Sequence, residues 1–154
     1  MTADAVYVDP SALSRLYLNQ SGSREMHLWR ARAQGSLPVT HHGRTELVNA
    51  VALAVFRGDR TPDQAVRAWA NMEADFADGH LVQVDLLWRA ALNRAAGLSR
   101  TFTPTLGTRA LDVLHVACAL ELKLKHFLTF DERQEKLASA CGLKLVKLVK
   151  LVKL

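Results

Sequence analysis

Short apolar runs and amphipathic stretches alternate along the chain from its first residues to about position 146. Val6-Tyr7-Val8, Leu37-Pro38-Val39-Thr40, Leu81-Val82-Gln83-Val84, residues 126–129 and residues 144–146 are brief and rich in apolar side chains, so each reads as a buried strand. Between them apolar positions return every three or four residues, as in Leu13, Leu16 and Tyr17, in Met26, Leu28 and Trp29, and in Leu47, Val48, Val51 and Val55, which predicts helices. Arg44 to Phe56 is one such helix, with Glu46 at its start and His41-His42 in the loop ahead of it. Thr61-Pro62-Asp63-Gln64 carries a capping hydroxyl, proline in the first turn and Gln at the third position, so a helix runs from there to about Ala77. Asp85 is placed to cap a further helix that stops near Gly97, and Thr101 to Thr108, polar with one Pro and one Gly, reads as a loop. Helices over residues 110–122 and 131–140 complete the order β-α-α-β-α-α-β-α-α-β-α-β.

Strands separated by helices must return by crossovers, which requires a parallel sheet covered on both faces. The expected fold is therefore α/β, a three-layer α/β/α sandwich with a parallel sheet. In such folds ligands sit outside the carboxyl ends of the strands, which directs attention to Asp9 after the first strand and Asp131 after the fourth.

Composition narrows the class. At 154 residues, 49% hydrophobic and 23% charged, the chain matches one globular domain, and eight Gly with four Pro exclude a collagen-like or linker-rich protein. No apolar run approaches the ~20 residues of a membrane span, and Met1 to Asp9 has no basic stretch, so a cytoplasmic protein without membrane contact is expected. Cys118 and Cys141 form no CxxC pair and read as core thiols. The formal charge of +5 is 20 basic minus 15 acidic residues, and removing Lys144, Lys147, Lys150 and Lys153 leaves 16 minus 15, or +1, so the body is not strongly basic. Those lysines belong to a Lys-Leu-Val repeat whose period of three fits neither strand nor helix. The domain is accordingly placed at 1–146 and the low-complexity tail at 147–154, the later copies being either a repeat expansion or an exposed extension suited to anionic surfaces.

Asp9, Glu46, Asp112 and Asp131 all fall where helix starts or strand ends would bring them to one edge of the sheet. Four carboxylates at close range repel unless a cation lies among them, and oxygen-only ligation suits Mg²⁺ or Mn²⁺. Each residue also has an ordinary reading as a helix cap or as an acidic partner of a helix dipole, Asp131 through the capping box Asp131-Glu132-Arg133-Gln134. Both readings stay open on the residues alone. Arg15, Arg44, Arg109 and Arg133 flank these carboxylates and can bind phosphate or pair with an acid. His115, three residues after Asp112, reads as a satisfied, partly buried histidine before it reads as a substrate contact. Trp29, Trp69 and Trp88 fall on apolar stripes and belong to core or interface.

Four segments resemble the motifs of one family in order and spacing. Val6-Tyr7-Val8-Asp9-Pro10-Ser11, Thr45-Glu46-Leu47-Val48-Asn49-Ala50, residues 109–117 around Asp112, and Phe127-Leu128-Thr129-Phe130-Asp131-Glu132-Arg133-Gln134 are similar to the acidic motifs of PIN-domain nucleases, and within them of VapC-type toxins of bacterial toxin–antitoxin pairs. The resemblance implies a Mg²⁺- or Mn²⁺-dependent endoribonuclease in which Asp9, Glu46, Asp112 and Asp131 hold the metal and Ser11 and Thr129 orient carboxylates or water. It further implies RNA ends with 5′-phosphate and 3′-hydroxyl, a homodimer and a small antitoxin. The alternatives are a non-cleaving module of the same fold that binds RNA or a partner, and a phosphotransfer or phosphatase domain, which lacks an evident lysine near Asp131.

Overall fold

The computed structural model describes residues 1–151. Strands β1 (Val6–Val8), β2 (Leu37–Thr40), β3 (Leu81–Val84), β4 (His126–Leu128) and β5 (Lys144–Leu145) alternate with helices α1 (Pro10–Leu13), α2 (Ser23–Arg32), α3 (His41–Phe56), α4 (Pro62–Ala77), α5 (Trp88–Leu106), α6 (Ala110–Glu121) and α7 (Glu132–Ala140). Every pairing is parallel, β1 with β4, β4 with β5, and β2 with β3. β1 and β2 pack side by side without a ladder, and a parallel bridge of Thr2 with Gln34 ties the two ladders ahead of them. The resulting order is β3-β2-β1-β4-β5, built as a pair and a triplet of strands.

Alternation along the strands explains the two cores. Val6 and Val8 of β1 and Leu128 of β4 join Met26, Leu47, Val51, Ala68 and Met72 from α2, α3 and α4 on one face. Tyr7 and Phe127 point the other way, into Ala91, Val113, Val116 and Leu137 from α5, α6 and α7. Both faces of the sheet are therefore covered by helices, the α/β sandwich the alternation predicts. The family of carboxyl strand ends, at Asp9, Thr40, Val84 and Thr129, lies along one edge.

The structure departs from the sequence pattern in three places. Residues 101–106 are not a loop: α5 runs through them with Pro104 inside and ends at Gly107 in the left-handed region. Leu98, Phe102 and Leu106, four residues apart, pack on the second core, and this burial outweighs the hydrogen bond that Pro104 cannot make near the helix end. Asp85 does not cap α5, whose cap position is Leu87 with no side-chain bond; it pairs instead with His41 at 2.9 Å. Finally α3 starts at His41 rather than Arg44, because the Thr40 hydroxyl accepts from Gly43 N–H and caps the helix earlier. That places His41 and His42 in the first turn of α3 and Glu46 in the second. The capping box at Thr61 and Gln64 forms with both of its bonds.

After β5 the Val146 N–H still bonds the Phe127 carbonyl at 2.9 Å, and Val146 is buried. Residues 147–151 then run without regular structure beside α2, where Leu148 is half-buried on the first core and Lys147 meets Glu135 at 3.4 Å. The last part of the repeat, 152–154, lies outside the described residues. Deleting residues 147–154 should leave a cooperative fold and cost about 1 kcal/mol for the half-buried Leu148, read as a fall of a few degrees in a thermal melt. Loss of the transition would make the tail part of the domain.

Candidate active site

Asp9 follows β1 directly, and its backbone N–H bonds the Leu128 carbonyl, so the ladder carries it to the sheet edge beside β4. Its side chain caps α1, with Oδ2 accepting from Ser11 N–H at 2.9 Å. The other oxygen, Oδ1, accepts from Gln134 Nε2 at 3.0 Å, and the residue is buried. Asp131 caps α7, with Oδ1 accepting from the N–H groups of Arg133 and Gln134 at 2.8 and 3.1 Å. Cap and site are therefore not exclusive roles: each carboxylate spends part of its capacity on a helix start and retains lone pairs toward the cleft.

The capping box expected at Asp131 is only half formed. Gln134 turns inward instead of back to the Asp131 N–H, which bonds the Thr129 hydroxyl at 3.1 Å. Fully buried, Gln134 accepts from Thr129 Oγ1 at 2.5 Å and donates both amide protons, to Asp9 Oδ1 and to the Asp112 carbonyl at 3.1 Å. Ser11 Oγ lies 3.3 Å from Thr129 Oγ1 and accepts from Phe130 N–H. Since Thr129 gives its proton to Gln134, Ser11 donates to Thr129. One directed chain thus joins the turns after β1 and β4 to the start of α6. Gln134 is the functional candidate that sequence reading passes over as a cap; the signal was a polar residue at an otherwise buried helix position.

Glu46 is held from α6. His115 is 1% exposed; its Nε2 lies 3.0 Å from Glu46 Oε1 and 3.8 Å from Asp9 Oδ1, and its Nδ1 lies 2.6 Å from Tyr7 Oη. A single ring proton on Nε2 satisfies both neighbours, with the Tyr7 hydroxyl donating to Nδ1 and Glu46 accepting from Nε2. Both nitrogens are engaged and the ring is buried, so His115 sits behind the carboxylates and away from a substrate's reach. Burial works to raise the Glu46 carboxyl, but the hydrogen bond and charge of His115, with His42, outweigh it and hold it below the ordinary value. His42 is not the exposed loop residue expected from its sequence. It stacks on His115 with centroids 4.3 Å apart, edges onto Trp88 and is pushed by burial and by His115 down to about 4.

Asp112 lies in the first turn of α6, where the helix dipole favours a carboxylate. Its carboxyl is nevertheless raised, first by burial and then by the charges of Asp9 and Asp131. Glu46, Asp112 and Asp131 line one cleft of about 770 Å³ together with Gly107, Arg109, Glu132 and Arg133. Asp9 stands at its back, tied through Gln134 to Asp112 and flanking His115 opposite Glu46. Among the described residues the trio whose ligand atoms lie within 4.8 Å of one another is His42, Glu46 and His115.

The four arginines separate into two pairs. Arg109 and Arg133 line the cleft, Arg133 reaching the Gly107 carbonyl at 3.4 Å. Arg15 stacks on Phe130 and bonds the carbonyls of Ser11 and Ser21, and Arg44 forks onto Glu73 at 2.7 and 2.9 Å over the Phe76 ring. Their donors are committed to the fold.

The PIN domain family model matches residues 6–140. Ribonuclease VapC47 of Mycobacterium tuberculosis is 30% identical over 141 residues, covering 88% of this chain and 89% of the relative. The crystal structure of Mycobacterium tuberculosis VapC20, described as a sarcin-ricin loop cleaving toxin, superposes with a TM-score of 0.65 at 15% identity over 90% of this chain and 95% of that one, a likeness of fold. The four acidic positions fall inside the matched span, and the chain belongs to the PIN-domain family, with a VapC-type ribonuclease as its relative.

Proposed function

We propose that this chain is a metal-dependent endoribonuclease that hydrolyses RNA phosphodiester bonds to 5′-phosphate and 3′-hydroxyl ends and acts as the toxin of a toxin–antitoxin pair. The observation that carries the reading is the gathering of Asp9, Glu46, Asp112 and Asp131 about one cleft at the carboxyl edge of the sheet, with Arg109 and Arg133 at its rim. A ribonuclease relative of similar length supports it. The working unit is residues 1–146, the tail is an appendage, and the protein is cytoplasmic; none of the described helices is long and apolar enough to cross a membrane. A homodimer and a small antitoxin complete the proposal.

The donor set fits Mg²⁺ or Mn²⁺. All four groups offer hard oxygen ligands; Asp131 Oδ2, Glu46 Oε2 and the Asp112 carboxylate have no hydrogen-bond partner among the described residues, and the Asp112 carboxyl is raised by burial and then by the charges of Asp9 and Asp131, both of which a cation would counter. When bound, such an ion lowers the pKa of a water and stabilises charge developing on phosphate oxygens. The chain's own residues supply the rest. Gln134 fixes Asp9 and the start of α6 in one register, and His115 fixes Glu46 from behind. Ser11 and Thr129 hold the Gln134 amide in the orientation that presents one N–H to Asp9 and the other to the Asp112 carbonyl. Arg109 and Arg133 meet the RNA backbone at the cleft mouth, where paired positive charges hold phosphates without reading bases.

Purified protein incubated with total RNA should cleave it in Mg²⁺ or Mn²⁺ and stop on chelation, with mapped 5′-phosphate and 3′-hydroxyl ends; cleavage that ignores chelator, or 2′,3′-cyclic phosphate ends, would sink the mechanism. Asp112→Asn should abolish cleavage, leave the metal-free melting temperature equal or higher by relieving repulsion, and lose most of the rise that Mn²⁺ gives the wild type. A simple cap would behave oppositely, with lower stability and activity kept. Gln134→Ala should weaken metal affinity or activity roughly 10–100-fold, the usual effect of removing a partner behind a metal ligand; a loss confined to thermal stability would make Gln134 purely structural. Arg109→Ala and Arg133→Ala should each weaken RNA binding and lower the salt slope by about 1, whereas Arg44→Ala should leave the slope unchanged.

A further inference from the structure

His42 and His115 are drawn together at the back of the cleft by elements of both halves of the sheet. His42 is in the first turn of α3, one helical turn before Glu46, so the two side chains share a face. His115 comes from α6, and the three residues offer ligand atoms within 4.8 Å of one another. Each imidazole is held at Nδ1 by a hydroxyl, His42 by Thr40 Oγ1 at 3.1 Å and His115 by Tyr7 Oη at 2.6 Å. A metal-bound histidine normally donates its other ring N–H to an oxygen, and each hydroxyl stands where it can accept that proton. His42 Nε2 has no hydrogen-bond partner and is shielded from solvent, a loss for which the remainder of the fold offers no compensation.

Two imidazoles and one carboxylate form a borderline donor set that selects Zn²⁺ and its neighbours over Mg²⁺. We propose that His42, Glu46 and His115 form a transition-metal site of the Zn²⁺ class, and that its occupation withdraws Glu46 from the acidic cleft. Binding needs two small adjustments. The rings are stacked with planes 26° apart, so His42, the less buried of the two, turns out of the stack to bring its Nε2 onto the ion. His115 moves its single proton from Nε2 to Nδ1, where Tyr7 Oη accepts the N–H and turns its own O–H away toward Thr40 Oγ1, 3.4 Å off, so the ring's proton count does not change. Glu46 Oε1 then leaves the imidazole N–H for the ion. The metal-binding part stands on the histidines alone, while the inhibitory part rests on the ribonuclease reading above, because only there is Glu46 required elsewhere.

Histidine-selective ¹H–¹⁵N spectra of the wild-type protein, titrated with Zn²⁺, test the site without any variant. The ring nitrogens of His42 and His115 should shift at one equivalent, while His27, His41, His80 and His126 serve as internal controls. Co²⁺ in place of Zn²⁺ should give the visible absorption of a four-coordinate ion, abolished by His42→Ala and retained in Asp112→Asn. With Mg²⁺ present, Zn²⁺ should suppress RNA cleavage in wild type at least tenfold more effectively than in His42→Ala. Unshifted His42 and His115 resonances, or a Co²⁺ spectrum lost in Asp112→Asn but kept in His42→Ala, would overturn the site and assign the ion to the carboxylates. Shifted histidines in a protein that never cleaves RNA would leave the site standing and remove the ribonuclease reading instead.

Discussion

The repulsion among four carboxylates at one sheet edge is the constraint that the surrounding structure answers. Asp9, Glu46, Asp112 and Asp131 come from the ends of β1 and β4 and the starts of α3 and α6, elements that the parallel topology brings to the same edge. Bringing the charges together in a half-buried site is costly: burial first, and then the charges of Asp9 and Asp131, raise the Asp112 carboxyl. The cost is offset by donors that meet three of the acids from their protein side: helix N–H groups for Asp9 and Asp131, the Gln134 amide for Asp9, and the His115 ring for Glu46. These donors are carried by rigid elements packed into the two cores, so the acids are positioned by the same burial that holds the sheet.

That coupling explains which parts of the molecule were legible in the sequence. Strands β1, β2 and β3 are short apolar runs whose register hardly needs context, and the capping box at Thr61 is a local signal with both of its bonds made. Asp9 sits at the end of one such signal, directly after β1. The misplaced elements are those where distant contacts override local preference. Pro104 reads as a breaker, yet Leu98, Phe102 and Leu106, each partly buried, pack on the second core and carry α5 past it. His42 reads as a polar loop residue, yet the Thr40 cap starts α3 early enough to bury it against His115 and Trp88. Gln134 fits a capping box in sequence, and only the approach of Asp9 from 125 residues away draws its amide inward.

The arginines teach the same lesson about charge. Sequence proximity to an acidic motif made Arg15, Arg44, Arg109 and Arg133 equivalent candidates for phosphate. In the fold Arg15 and Arg44 lay their guanidinium planes over Phe130 and Phe76 and give their protons to carbonyls and to Glu73. A stacked, forked guanidinium serves packing as much as charge, and moving it to a phosphate would forfeit both contacts. Arg109, at the cap position of α6, and Arg133, in the first turn of α7, have no carboxylate partner among the described residues and face the cleft.

Glu46 is the position where these threads meet. It faces the cleft with a carboxylate side chain 31% exposed, yet its Oε1 is bound to an imidazole that is itself anchored through Tyr7 to β1. The chain from Tyr7 through His115 to Glu46 crosses from the sheet to α6 and then to α3. A shift of any one of these elements therefore moves the acid. Asp9 and Asp131 are held by N–H groups of the backbone and, for Asp9, by a neutral amide, none of which changes protonation or ligates metal under ordinary conditions. Glu46 alone is held by a side chain that does both. Under the proposed metal binding it is the member of the acidic set whose partner changes, since its Oε1 rests on the imidazole that would take the ion.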